Sequence, residues 1–292
     1  MHTIENKTWK AAFKTHGAEL RSLFHKPSSK ELMWQADPAF WGKTSPVLFP
    51  IVGVLKDDTY LFNDDRFALS RHGFARDSEF EVRQERDIAI GFALRSDAQS
   101  FMVYPFAFEL TIRYSLSDNG LTCTYVVHNP SSETSLLFSI GGHPAFAVEV
   151  NEHIAYHDYQ LLFPDDDVLT VGRLHNNLLM EERTRIELQN HAFPLSYSLF
   201  YNDALVIENL ESQQVVLANS VNNNQLVFNF HGFPYFGLWA AKNADFVCLE
   251  PWAGIADQEH HDQNLQHKKG IVRIDPNSSW EAHWQIGYRA GV

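Results

Sequence analysis

Apolar and polar side chains alternate with a period of two along most of this chain. The clearest run is Phe106, Phe108, Leu110, Ile112, Tyr114 and Leu116, which share one face of an extended segment. Ser117-Asp118-Asn119-Gly120 supplies turn residues, and Leu121, Cys123, Tyr125 and Val127 carry the alternation back. The pattern predicts a long antiparallel hairpin whose arms are about twice the usual ~5–6 residues, which suits a long-stranded sandwich better than a small barrel. Shorter hairpins are expected from Trp9–Phe13 with Leu20–Phe24 across His16-Gly17, and from the two halves of Phe80–Leu94 around the charged turn Gln84 to Asp87. A further hairpin is expected from Ala204–Ile207 with Gln214–Leu217 around Glu208 to Gln213. Glu31–Gln35, Glu133–Ile140, Tyr159–Phe163, Gln225–Phe230, Phe236–Ala240, Phe246–Glu250 and the alternation Trp280, Ala282, Trp284, Ile286 read as single strands.

Residues 150–185 carry the weakest pattern, and Pro38–Gly53 reads as a loop with three prolines and the aromatics Phe40, Trp41 and Phe49. A long irregular stretch inside a compact domain tends to be functional. No heptad, fixed repeat or ordinary amphipathic helix interrupts the strands. The expected fold is all-β: a single domain over residues 1–292, built as a large antiparallel β-sandwich.

Composition narrows the partners. An apolar fraction of 45% with 22 Phe, 10 Tyr and 7 Trp can fill one large core. Lys and Arg number 23 against 36 Asp and Glu, a formal charge of −13 without a dense basic run, so neither nucleic acid nor an anionic membrane is an expected partner. Cys123 and Cys248 each sit in an apolar strand-like run, as buried free thiols would in a reducing compartment. Met1–Lys10 lacks the apolar centre of a signal peptide and no stretch approaches ~20 apolar residues, so the expected location is cytoplasmic.

Candidate chemistry centres on Phe138-Ser139-Ile140-Gly141-Gly142-His143-Pro144-Ala145-Phe146, which sets one imidazole between two glycines and a proline. The glycines leave room for a ligand to approach the backbone, and Pro144 holds His143 in extended geometry at or just past a strand end. Further polar clusters lie at Arg71–Arg76, near Asp203, and at Leu249–Asp257. Strand alternation places Glu250 on the face shared by Phe246 and Cys248, where burial would raise its pKa toward that of a general base working near neutrality. Tyr235, Phe236, Trp239 and Trp252 are candidates for a flat face on which a pyranose could stack. His153 and His157 have i, i+4 spacing but Ile154-Ala155-Tyr156 between them lacks the Glu of a zincin and the region is not clearly helical, His260-His261-Asp262 with His267 reads as a solvated loop, and no phosphate loop, nucleophile elbow or dinucleotide fingerprint is present. No metal and no cofactor are expected.

Phe49-Pro50-Ile51-Val52-Gly53, Arg71-His72-Gly73-Phe74-Ala75-Arg76, Gly141-Gly142-His143-Pro144-Ala145-Phe146 and Cys248-Leu249-Glu250-Pro251-Trp252-Ala253-Gly254-Ile255-Ala256-Asp257 together resemble the aldose 1-epimerase (mutarotase) superfamily, in the branch associated with bacterial sugar-utilisation genes. The resemblance implies a galactose mutarotase-like supersandwich and interconversion of the α and β anomers of an aldohexose. It also implies His143 as general acid, Glu250 as general base, and His72 and Asp203 as sugar-binding residues. One departure stands out: relatives commonly carry Arg after the Pro-Ile-Val-Gly segment, and this chain has Val54. Arg71 and Arg76 are then the expected cations, and Trp252 the expected aromatic contact. A hexose-6-phosphate 1-epimerase and a non-catalytic sugar-binding protein are the alternatives. The partner expected in each case is a small sugar or its phosphate; the oligomeric state, a homodimer included, is open.

Overall fold

The computed structural model describes residues 1–291. Two large antiparallel sheets dominate. The nine-stranded sheet runs in the spatial order Ala192–Pro194, Tyr159–Leu162, Gln214–Asn219, Gln225–His231, Ser279–Arg289, Gly120–His128, Glu109–Ser117, Ala89–Arg95 and Glu81–Arg86. The eight-stranded sheet runs Leu178–Glu187, Val168–His175, Leu205–Glu208, Tyr235–Trp239, Phe246–Ala253, Ile140–Gly142 and Val47–Leu48, with Ala145–Ala147 also pairing onto Phe246–Ala253. Alternating side chains from the inner faces interlock. Phe228 and Phe230 of the first sheet meet Phe236 of the second at ring-centroid distances of 6.1 and 4.6 Å, and Phe146 meets Phe228 at 5.7 Å. A four-stranded sheet, His2–Glu5, Trp9–Phe13, Leu20–His25 and Lys30–Glu31, packs alongside through Phe13, 4.5 Å from Tyr114. The all-β sandwich is as expected, and both cysteines are free and buried. No helix among the described residues is long and apolar enough to cross a membrane.

Strand Phe246–Ala253 is buried at every position, because each face has its own cover. Val247 and Leu249 point with Phe236 toward the nine-stranded sheet. Cys248, Glu250 and Trp252 take the other face, beneath the loops of residues 38–56, 71–77 and 254–270.

Several expected strands differ in detail. The long hairpin pairs Glu109–Ser117 with Gly120–His128 across a two-residue turn, as its alternation required. Ala204–Ile207 and Gln214–Leu217 do not form a hairpin: Leu205–Glu208 pairs with Val168–His175 and Tyr235–Trp239, whereas Gln214–Asn219 pairs with Tyr159–Leu162 and Gln225–His231. The connection carries the chain from one sheet to the other, a choice made by packing that local alternation does not encode. Glu133–Ile140 is split into Leu136–Phe138, paired with Val272–Ile274, and Ile140–Gly142. The weakly patterned region holds a long hairpin, Val168–His175 with Leu178–Glu187, closed by Asn176 and Asn177 at φ 48° and 69°. An Asn pair in left-handed geometry is a known hairpin turn.

Candidate active site

Strand pairing places the central pair. Gly141 lies opposite Trp252 and Ala145 opposite Cys248, so the interrupted strand keeps one register across its break, and His143 falls opposite Glu250. The break arises because Pro144 has no N–H for the ladder. His143 N–H donates instead to the Pro46 carbonyl at 3.2 Å, and Leu249 N–H donates to the Pro144 carbonyl at 3.2 Å. His143 Nε2 stands 3.3 Å from Glu250 Oε2. The glycines beside His143 do not receive a ligand as expected. A Cβ on Gly141 would lie 2.4 Å from Trp252 Cδ1, and one on Gly142 would lie 2.9 Å from the Tyr125 hydroxyl. Their space is filled by the protein's own side chains. Gly237 makes the same allowance, since its Cβ would sit 2.3 Å from Trp252 Cζ2, so the indole lies flat over two glycines.

A cavity of ≈ 200 Å³ opens above this pair, lined by His72, Arg71, Arg76, Asp203, Trp252 and Trp239 among others. That volume holds a small molecule. His72, His143, Asp203 and Glu250, distant in sequence, all face it. Of the four aromatic candidates, Trp239 and Trp252 line the cavity, whereas Phe236 is buried in the core between the sheets. Val54 lines it too, and Arg71 and Arg76 are the cations among its described lining residues. Trp41 went unrecognised in sequence beyond its place in an irregular loop: its indole stacks on His143 at 5.0 Å and 27°. Asn177, in the weakly patterned region, lines the wall and accepts a hydrogen bond from Arg71. The Asn-Asn turn was its only local signal.

Three non-glycine lining residues occupy left-handed backbone, His72 at φ 67°, Asn177 at φ 69° and Asp203 at φ 81°. That conformation is uncommon outside glycine and clusters at functional sites. His72 N–H donates to the Gly53 carbonyl at 2.7 Å, and its ring Nδ1 accepts from Gly53 N–H at 3.1 Å. The proton of the neutral ring therefore resides on Nε2, which makes His72 a fixed donor. Burial, then the nearby His143, Arg76 and Arg71, hold His72 well below the ordinary imidazole pKa. Arg71 approaches Asp203 at 3.8 Å, and Arg76 approaches Asp77 at 3.4 Å.

The central pair is buried. His143 is 8% exposed and Glu250 1%, and His143 Nδ1, both Glu250 oxygens and Trp252 Nε1 lack hydrogen-bond partners. Burial lowers His143 to about 3, with Arg76 and Arg71 adding to the effect. Burial also pushes Glu250 well above the carboxylate range, and the charge of Asp203 adds to that; the adjacent Trp252 N–H opposes it only in part. Both shifts favour the uncharged forms, a protonated carboxyl beside a neutral imidazole. This reverses the simplest expectation, that a carboxylate beside His143 keeps the imidazole charged: desolvation of both partners outweighs their attraction.

Three of the histidines weighed as metal ligands face carboxylates. His153 is exposed beside Glu152, His267 pairs with Asp262 at 2.7 Å, and His261 stands 3.3 Å from Asp257. Among the described residues, one group of three has ligand atoms close enough for an ion, and it is His143, Cys248 and Glu250.

The sequence pattern of the aldose 1-epimerase family matches residues 1–271. Protein LacX, chromosomal, of Lactococcus lactis subsp. lactis is 30% identical over 292 residues, 97% of each chain. Among solved structures, a galactose mutarotase related enzyme from Lactobacillus acidophilus is 33% identical with a TM-score of 0.95, covering 100% of this chain and 98% of that one. A galactose mutarotase-like protein from Lactobacillus casei is 28% identical with a TM-score of 0.91, covering 99% of this chain and 100% of that one.

Proposed function

Because this chain belongs to the aldose 1-epimerase family, we propose that it interconverts the α and β anomers of a free aldohexose, with Glu250 as base and His143 as acid. The observation that carries the reading is the 3.3 Å contact between His143 Nε2 and Glu250 Oε2 on the floor of a small cavity. Ring opening needs one proton removed from the anomeric hydroxyl and one delivered to the ring oxygen, so a pair that holds a single proton is in the required state. Transfer from Glu250 to His143 along their contact creates carboxylate and imidazolium. The carboxylate takes the hydroxyl proton, the imidazolium protonates the ring oxygen, the C–O bond opens, and the free aldehyde rotates. Reclosure on the other face reverses both transfers. Trp41, stacked on His143, offers its π face to the transient imidazolium.

The remaining lining residues bind. His72 Nε2–H donates to a sugar oxygen, Asp203 accepts from sugar hydroxyls, and Arg71 donates from a position set by Asn177 and Asp203. Trp252 presents a flat wall to the ring. A free sugar is favoured over its 6-phosphate because Arg71 and Arg76 each already face a carboxylate, Asp203 and Asp77. We place all of this within one structural domain.

Anomer-exchange NMR over a panel of free and phosphorylated aldoses, with fresh α-D-glucose and α-D-galactose followed by polarimetry, tests the reading. His143→Ala and Glu250→Gln should each lose acceleration by about 10²-fold or more. Wild-type rates in both variants overturn the assignment. Sugar binding in calorimetry without faster exchange in the wild type would make this a binding protein.

A further inference from the structure

Cys248 takes no part in the proton transfers above, yet it lies two residues before Glu250 on the same face of the same strand, opposite Trp239. Its sulfur, one ring nitrogen of His143 and a carboxylate oxygen of Glu250 all lie within 4.8 Å of one another. Ligands sharing a tetrahedral Zn²⁺ at ~2.0–2.3 Å stand about 3.5 Å apart. The His143–Glu250 contact already meets this at 3.3 Å, so small side-chain rotations close the remainder. A second observation points to a ligand here: both Glu250 oxygens are buried without hydrogen-bond partners. Nitrogen and oxygen from His143 and Glu250, which line the cavity, and sulfur from Cys248, which is fully buried within 4.8 Å of them, are the donor set of a soft or borderline cation, not of Mg²⁺ or Ca²⁺.

We propose that His143, Cys248 and Glu250 form a site for one thiophilic divalent cation of the Zn²⁺ class, which shuts the cavity's chemistry off by engaging its proton-transfer pair. Three protein ligands leave a fourth position open toward the cavity, where water or a sugar hydroxyl completes the tetrahedron. Binding displaces two protons to solvent, one from the Cys248 thiol and the one shared by His143 and Glu250, so affinity rises with pH. An ion held there occupies the lone pairs that would accept and deliver protons. Metal binding stands on the ligand geometry alone; only its effect on turnover rests on the epimerase reading.

The test titrates the intact protein with Co²⁺ and Zn²⁺. Co²⁺ should give a thiolate-to-metal charge-transfer band and the strong visible absorption of a tetrahedral ion at one equivalent, and Zn²⁺ should displace it with proton release seen by calorimetry in two buffers. Cys248→Ser should abolish the band and weaken Zn²⁺ binding at least tenfold, while metal-free anomer exchange stays at the wild-type rate. Cys248→Ala serves as the second variant, with near-UV circular dichroism reporting its fold. Equal Zn²⁺ affinity in the wild type and both variants, or Co²⁺ binding without a thiolate band, overturns the site. A thiolate band with undiminished anomer exchange at saturating Zn²⁺ overturns the inhibition. If the wild type lacks epimerase activity altogether, the band still decides the metal site and the failure belongs to the epimerase reading.

Discussion

In water a carboxyl and an imidazole coexist as carboxylate and imidazolium between their ordinary pKa values of 4.5 and 6.5. Buried side by side, Glu250 is raised and His143 is lowered to about 3, so the order of the two is inverted. Acid adds a second proton only as pH falls toward about 3, and base removes the shared proton only as pH rises through the elevated value of the carboxyl. Activity that needs one proton on the pair should therefore be flat through pH 6.5. Buffer-corrected kcat/KM for anomer exchange between pH 4 and 9 checks this, and an alkaline limb centred near 6.5 would refute it. His143 was legible in sequence as the imidazole between glycines and proline, and Glu250 as a carboxylate on an apolar strand face. Their inverted protonation was not, because it depends on desolvation by Trp41, Trp239 and Trp252, which converge from separate segments.

Strand register explains how the pair forms, and a buried ion pair explains how its walls stay closed. Asp257 Oδ1 meets Lys268 Nζ at 2.7 Å with both side chains 0% exposed, and Oδ2 accepts from Lys56 N–H at 2.9 Å. Asp257 N–H donates to the Val54 carbonyl, and Leu179 N–H donates to the Asp257 carbonyl, so one residue ties three wall segments together. The two partners report opposite balances. Asp257 is held down at about 2 by His261, Lys268 and the Lys56 N–H despite its burial, whereas burial pulls Lys268 below the usual lysine range against the attraction of Asp257. The pair gives little net stability, yet either charge left alone is costly. Asp257→Ala or Lys268→Ala should each lose about 3–5 kcal/mol in urea unfolding, and Asp257→Leu combined with Lys268→Met much less than their sum. Additive losses would refute the coupling. The expected hairpin at 204–217 failed at this same scale, since alternation marks a strand without naming its partner.

One continuous apolar core contains Phe13 of the four-stranded sheet, Phe228 and Trp284 of the nine-stranded sheet, and Phe146 and Phe236 of the eight-stranded sheet. A core shared in this way favours a single cooperative unit, and we expect urea unfolding followed by tryptophan fluorescence, far-UV circular dichroism and loss of anomer exchange to give coincident midpoints. Separated midpoints would show that the sheets unfold independently. The sequence by itself determined the all-β class, the buried thiols and the four polar segments, because period-two alternation and turn chemistry are local properties of the backbone. Tertiary structure alone decided that residues 204–217 cross between sheets, that the glycines beside His143 seat Trp252 and Tyr125, and that His143 faces Glu250. Register across an interrupted strand and the packing of two faces are relations between distant segments, and no local pattern carries them.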